Sequence, residues 1–293
     1  MPKVFELGYV ALGTADLART KDYYVNTLGT REVDSDAEGN HYLSIGYHHH
    51  DIILTPSDAG GLLRTGYQLC PDVDVVDFAK TLKDHGLTPK HRSDSQPGVK
   101  GLIEVDVAGH IHHFYDSIET PAPGFNTSGI SPLSLGHVAL VSPDAEKLVT
   151  FYSEILGFYT TDWIEGLATF MTCSAEHHVI NIIKAPPSMV HHIAYQLRES
   201  AAHVLAADKL TAAGIDTKWG PSRHTAGHNL AAYHKDPDNV MIELYSDMDV
   251  FIPELGICAP RPWHEHMPMR PRQWDPAQLS AWNVDFAFDL ARG

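Results

Sequence analysis

Cysteine is scarce in this chain, with Cys70, Cys173 and Cys258 the three in 293 residues. An odd, widely spaced set argues against a disulfide framework and against a thiolate zinc site, and it fits a reducing, cytoplasmic compartment. Long hydrophobic runs are missing as well. No stretch of about 18 apolar residues occurs, so nothing is expected to span a membrane. The opening MPKVFELGYVAL passes straight into an alternating apolar stretch, without the basic segment and apolar core of a secretion signal. Positive charge is short too: 21 Lys and Arg against 37 Asp and Glu leave a formal charge of -16, with only the sparse Arg261, Arg270 and Arg272 grouped near the end. That balance repels phosphates and anionic lipid, so neither nucleic acid nor a membrane is expected as a partner. With 43% apolar and 20% charged residues, the chain reads as a soluble globular protein long enough for two domains.

Histidine is abundant, at twenty residues. Most must be structural, and an internal repeat shows which are not. LGYVALGTAD at 7–16 is nearly repeated as SLGHVALVSPD at 134–144, and the offset of 128 also relates Leu28-Gly29 to Leu156-Gly157, HHH at 48–50 to HH at 177–178, and GYQL at 66–69 to AYQL at 194–197. Late in the copies the offset is 130, relating HFYD at 113–116 to ELYSD at 243–247, so two residues entered near WGPSRHTAGHN, which reads as a Gly/Pro/Ser loop.

Within the second copy, 133–141 alternates as a strand. SPDAEKLVTFYSEILG then gives a helix with apolar positions 148, 151, 152, 155 and 156 and a Gly stop. Short strands follow near 158–164, 168–173 and 178–184, then a strand at 190–197, a helix near 200–213 ended by Gly214, and strands to 246. Both copies therefore read βαβββ-βαβββ, an α+β fold. The boundaries fall at 1–122, 131–250 and 251–293, with linker-like PAPGFNTSGISP at 121–132 between the first two. In the last segment Trp263, His264, His266, Arg270, Arg272 and Trp274 either cover a cavity mouth as a lid or pack on their own domain.

Comparing the copies isolates a constellation. His137, His192 and Glu243 fall on three different strands, and their first-copy counterparts are Tyr9, Arg64 and His113. Two imidazoles and a carboxylate suit a non-haem Fe(II) centre with open positions, whereas an arginine among the three disqualifies the first copy. Side-chain alternation allows only one of His191 and His192 into a shared cavity, and His192 shares a face with Ala194 and Gln196. Asp236-Pro237-Asp238-Asn239 reads as an architectural turn.

These motifs, LGHV, EHH before a strand, HHIAY, SRHT, AAY and DPDNVMIELY in that order, resemble the type I extradiol ring-cleaving dioxygenases of the vicinal oxygen chelate, or glyoxalase, superfamily over roughly residues 5–250. The resemblance implies two tandem domains, each a pair of βαβββ modules forming a cupped mixed sheet, with the N-terminal one non-catalytic. It implies Fe(II), with Mn(II) as second choice, on His137, His192 and Glu243, acid-base action by His178, and hydrogen bonds to substrate oxygens from His224 and Tyr233. Phe170 would form a hydrophobic wall, and Ser222 stands where Gly is common. The implied partners are a catecholic small molecule and O2, in a homo-oligomer, with a ring-opened semialdehyde of aromatic catabolism as product. Two alternatives stay open: a glyoxalase-like metal-dependent lyase or isomerase, and a small-molecule binding protein of the bleomycin-resistance kind. His177 and His191 read as structural.

Overall fold

A computed structural model describes residues 1–92, 96–121, 124 and 126–286. Residue 122 and residues 287–293, the ends of two segments drawn from the sequence, fall outside the described residues, as do linker positions 122, 123 and 125. Among the described residues each repeat builds one mixed sheet of eight strands, and the tail strand Gln273–Trp274 adds a ninth to the second. In the second sheet the order is Thr217–Arg223, Leu230–Lys235, Met241–Ser246, Met189–Gln196, Ser134–Ser142, Ile180–Lys184, Ala168–Thr172, Tyr159–Ile164 and Gln273–Trp274. The paired βαβββ modules meet where Ser134–Ser142 runs antiparallel to Met189–Gln196. The equivalent junction in the first sheet joins Val4–Thr14 to Gly61–Leu69.

Strand Ser134–Ser142 is buried at nearly every position, so the polar alternation of a half-exposed strand is absent. The reason is that both faces are covered. Val138 and Leu140 join one continuous core with Val10, Leu12 and Phe114 of the first repeat. Ala139 and Val141 turn the other way, into the concave side with Phe170 and Ile183.

The predicted helices form with two differences. SPDAEKLVTFYSEILG is α-helical over Ala145–Thr150 and then widens to a π turn over Phe151–Ile155. There the N–H of Leu156 donates to the carbonyl of Phe151, five residues back (3.1 Å). The first repeat makes the same change at Tyr23–Leu28. The first part of WGPSRHTAGHN (219–229), expected as loop, instead belongs to an edge strand, Thr217–Arg223. Its pairing slips between Trp219 and Ser222, and this bulge absorbs Gly220-Pro221 where an unbroken ladder would not.

Helical tyrosines knit the halves. The Tyr152 hydroxyl lies 2.8 Å from that of Tyr67 and 2.9 Å from Nε2 of His112. Tyr23 and Tyr24 reach His234 Nε2 (2.6 Å) and Asp236 Oδ2 (3.0 Å) of the other half. Asp236 also accepts the backbone N–H groups of Asp238 and Val240, so DPDN is a turn tied to both halves. Replacing Tyr152 by Phe leaves two buried polar groups without that partner. The expected cost is about 1–3 kcal/mol, read as a lowered midpoint in urea unfolding with an unchanged slope.

Candidate active site

Strand register brings the site together. One row across the concave face runs His137, Ala194, Glu243, Tyr233 and Trp219, each paired with the next. The neighbouring row runs Phe170, Asn181, Ala139 and His192. Side chains of successive register partners leave the sheet on one face, so His137, His192 and Glu243 converge. Oε2 of Glu243 lies 3.1 Å from Nε2 of His137 and 3.1 Å from Nε2 of His192, and the two nitrogens are 3.3 Å apart.

All three side chains are buried. Burial lowers the His137 pKa despite Glu243. Burial also works against charge on Glu243, but the imidazoles of His137 and His192 prevail and hold its carboxyl well below the usual carboxylate range. Three lone-pair donors this close repel one another unless a proton or cation sits among them, and Nδ1 of His137 is buried with no partner. Separations of 3.1–3.3 Å match neighbouring positions around one ion with bonds of about 2.2 Å. The residues fit a divalent cation.

The groups around the triad are ordered by hydrogen bonds. Asn229 Nδ2 donates to Oε1 of Glu243 (2.7 Å) and the Tyr233 hydroxyl to Oε2 (2.8 Å). Tyr233 stays protonated because burial and then Glu243 raise its pKa well above the ordinary value. Its oxygen is also 3.0 Å from Nε2 of His224, whose Nδ1 is 3.1 Å from the Leu279 carbonyl. A carbonyl can only accept, so Nδ1 of His224 carries a proton and Nε2 of the neutral ring accepts. Tyr233 thus has one proton for two acceptors, and a substrate hydroxyl could supply the second.

His178 lies in the connection after Ala168–Thr172, its ring 4.2 Å from that of His137 and 4.9 Å from Phe170. Burial, with His137 and His177 close by, puts its pKa well below the ordinary value. Nδ1 of His178 lies 3.1 Å from Nδ1 of His177, and Nε2 of His177 is 3.0 Å from Oδ2 of Asp162. With Nε2–H of His177 donated to Asp162, its Nδ1 accepts from His178, and the remaining lone pair of His178 is on Nε2. Asp162 is itself held by the Arg272 N–H (2.9 Å) and Trp274 Nε1–H (2.7 Å).

A cavity joins these groups and is lined also by Phe170, Asn181, Ile183, Leu279 and Phe286. The structure thus brings together all seven residues singled out by sequence: His137, His178, His192, His224, Tyr233, Glu243 and Phe170. Both His191 and His192 line it, against the expectation of one. Pairing jumps from Ala139–His192 to Leu140–Val190, so His191 is the extra residue of a bulge and escapes strict alternation. The named tail residues do not line it. Trp263 and His264 hydrogen-bond Asp249, and Arg272 and Trp274 meet Asp162, while His266 and Arg270 are exposed.

Leu279 and Phe286 reach the cavity instead, helped by a 3.0 Å contact between the Ser222 and Ser280 hydroxyls. Asn229, Asp162 and the Leu279–Phe286 stretch carried no motif. Only their distance from Glu243, His177 and His224 marks them.

The second group of close donors, His228, Asp249 and His264, is hydrogen-bonded throughout. His228 Nδ1 and His264 Nε2 each meet one Asp249 oxygen (2.8 and 3.0 Å), and the Arg261 N–H donates to His264 Nδ1 (3.2 Å). It fastens the tail. In the first repeat the counterpart of the triad is filled: the Tyr9 hydroxyl meets His113 Nδ1 (2.6 Å) and Gln96 Oε1 (3.1 Å), and Gln96 Nε2 lies 2.7 Å from His50 Nε2.

Residues 134–244 match the glyoxalase/bleomycin resistance protein/dioxygenase superfamily. A biphenyl-2,3-diol 1,2-dioxygenase of Pseudomonas sp. (strain KKS102) is 34% identical over 261 residues, 81% of this chain and 87% of that protein. The chain belongs to the extradiol ring-cleaving dioxygenases of this superfamily. A manganese-dependent 2,3-dihydroxybiphenyl 1,2-dioxygenase of Geobacillus genomosp. 3 is 26% identical over 169 residues, 51% of each chain. The solved 2,3-dioxygenase LapB from Pseudomonas sp. KL28 superposes with a TM-score of 0.82 at 21% identity, covering 94% of this chain and 98% of that one, which shows the shared fold. Extradiol dioxygenases require a metal, and the Glu243 cluster offers the donors for one.

Partners of a metal ligand orient it, and losing one typically weakens binding 10–100-fold. Asn229→Ala should therefore lower divalent-cation affinity by about that factor in a chelator competition, while Arg64→Ala in the first repeat should leave it unchanged.

Proposed function

We propose that this protein is an Fe(II)-dependent extradiol dioxygenase. It adds both atoms of O2 to a catecholic ring beside its vicinal hydroxyls and yields a ring-opened semialdehyde. The observation that carries the reading is the convergence of His137, His192 and Glu243 at 3.1–3.3 Å beneath a cavity walled by His178, His224 and Tyr233. A divalent iron held there would acidify the catechol hydroxyls and let an electron pass between ring and dioxygen. Mn(II) suits the same donors, and the manganese-dependent relative keeps it as the second choice.

The chain's own groups divide the remaining work. His178, oriented by His177 and Asp162, presents Nε2 as the acceptor for a catechol proton and returns that proton as the ring opens. The His224 and Tyr233 pair receives the other hydroxyl, since one of its two acceptors lacks a proton. Phe170, Ile183, Leu279 and Phe286 keep water from the ring and hold it flat. The first repeat, its own cup filled by Tyr9, His50 and Gln96, acts as a non-catalytic support.

The test loads the purified protein with Fe(II) anaerobically, adds a panel of catechols, then admits air. Ring cleavage should give a yellow product and one O2 consumed per catechol; stoichiometric iron without oxygen uptake from any catechol overturns the reading. Glu243→Ala should lose the iron. His178→Asn should keep iron and catechol binding yet lose about 10²–10⁴ in kcat, the usual contribution of a positioned acid-base group.

A further inference from the structure

One polar side chain in the cavity wall has no task in the chemistry above. Asn181 is 6% exposed, lines the cavity, and its Oδ1 is buried without a hydrogen-bond partner. Its surroundings are apolar: Phe170 and Ala139 are its register partners on either side, and Ile183 and Val141 occupy the next positions of the same face. A buried amide oxygen left unpaired is unfavourable, so such a group in a wall otherwise built for burial needs an explanation.

The internal repeat supplies a control. The row Phe170, Asn181, Ala139, His192 corresponds by register to Tyr42, Ile53, Ala11, Arg64 in the first repeat. Ile53 is fully buried in an apolar cluster with Tyr9, Ala11 and Tyr42. The fold is therefore content with isoleucine at this place, and asparagine occurs only in the copy whose cavity is open. Asn181 sits two strands from His192, about 10 Å along the row, so it faces the body of a bound ring and its substituent instead of the reacting oxygens.

We propose that Asn181 is a specificity-determining residue that accepts a hydrogen bond from a hydroxyl or N–H on the substrate's ring substituent. The substrate class is then a catechol bearing a donor-carrying side group, and a purely hydrocarbon substituent leaves the Asn181 oxygen unpaired. This rests on the proposed ring-cleaving activity. A site built around a buried polar group rejects the analogue that lacks its partner far more strongly than an apolar pocket rejects an extra polar group.

The experiment compares matched pairs, 3-methylcatechol with 3-(hydroxymethyl)catechol and the corresponding 4-substituted pair. Each is measured by kcat/KM on the iron-loaded enzyme and by anaerobic equilibrium binding to the manganese-loaded enzyme. The expected result is a preference of about tenfold or more for the hydroxymethyl member of at least one pair, carried by KM and repeated in Kd. Asn181→Ile, which installs the first repeat's residue, should erase or reverse it and improve the methyl compound, and Asn181→Ala should erase it as well. Equal values for both members of both pairs in the wild type, or a preference that survives both substitutions, overturns the proposal. Absence of ring cleavage with every catechol defeats the activity instead, and the binding ratios still decide the role of Asn181.

Discussion

The Glu243 carboxylate is the point on which the second repeat depends. It is 1% exposed, and its two oxygens serve Asn229, Tyr233, His137 and His192. Burying a carboxylate without partners is costly enough that the group would take up a proton instead. Here the imidazoles keep it anionic. Everything that fixes those partners, the register of five strands and the turn at DPDN that starts Met241–Ser246, follows from holding one charge in a dry place. A cation among the three donors would be the natural completion of that arrangement.

The same framework in the first repeat shows how side chains fill a cup. Tyr9 occupies the register position of His137 and reaches His113, the counterpart of Glu243. Gln96 then closes the gap between Tyr9 and His50. The volume that would admit a ring is spent on packed, mutually hydrogen-bonded side chains. Both repeats keep the bulge after the central glycine of the first strand, at Leu7/Tyr9 and Leu135/His137. The backbone is thus conserved between copies while the concave side chains diverge.

The tail belongs to the site although it lies outside both repeats. Gln273–Trp274 extends the sheet along Tyr159–Ile164, and in doing so places Trp274 on Asp162, which orders His177 and through it His178. Its next stretch accepts the His224 proton at the Leu279 carbonyl and ends with Phe286 against Trp219, His224 and Tyr233. Positioning of both His178 and His224 therefore passes through segments whose sequence shows no periodicity and no motif.

By itself the sequence determined the duplication, the βαβββ pattern and which copy carries two imidazoles and a carboxylate at the matched positions. A repeat forces comparison at matched positions, and His137, His192 and Glu243 against Tyr9, Arg64 and His113 differ in donor chemistry. Period-2 and period-3.6 patterns also survive in local stretches such as SLGHVALVS and SPDAEKLVTFYSEILG. Tertiary structure alone decided the rest. His191 enters the cavity because a bulge breaks alternation, Ser222 and Trp219 sit on an edge strand because a slip absorbs Gly220-Pro221, and Leu279 and Phe286 line the site. Asn181 has an idle oxygen only because of what surrounds it. Such facts depend on register across strands and on contacts between residues far apart in the chain, and local spacing carries no information about either.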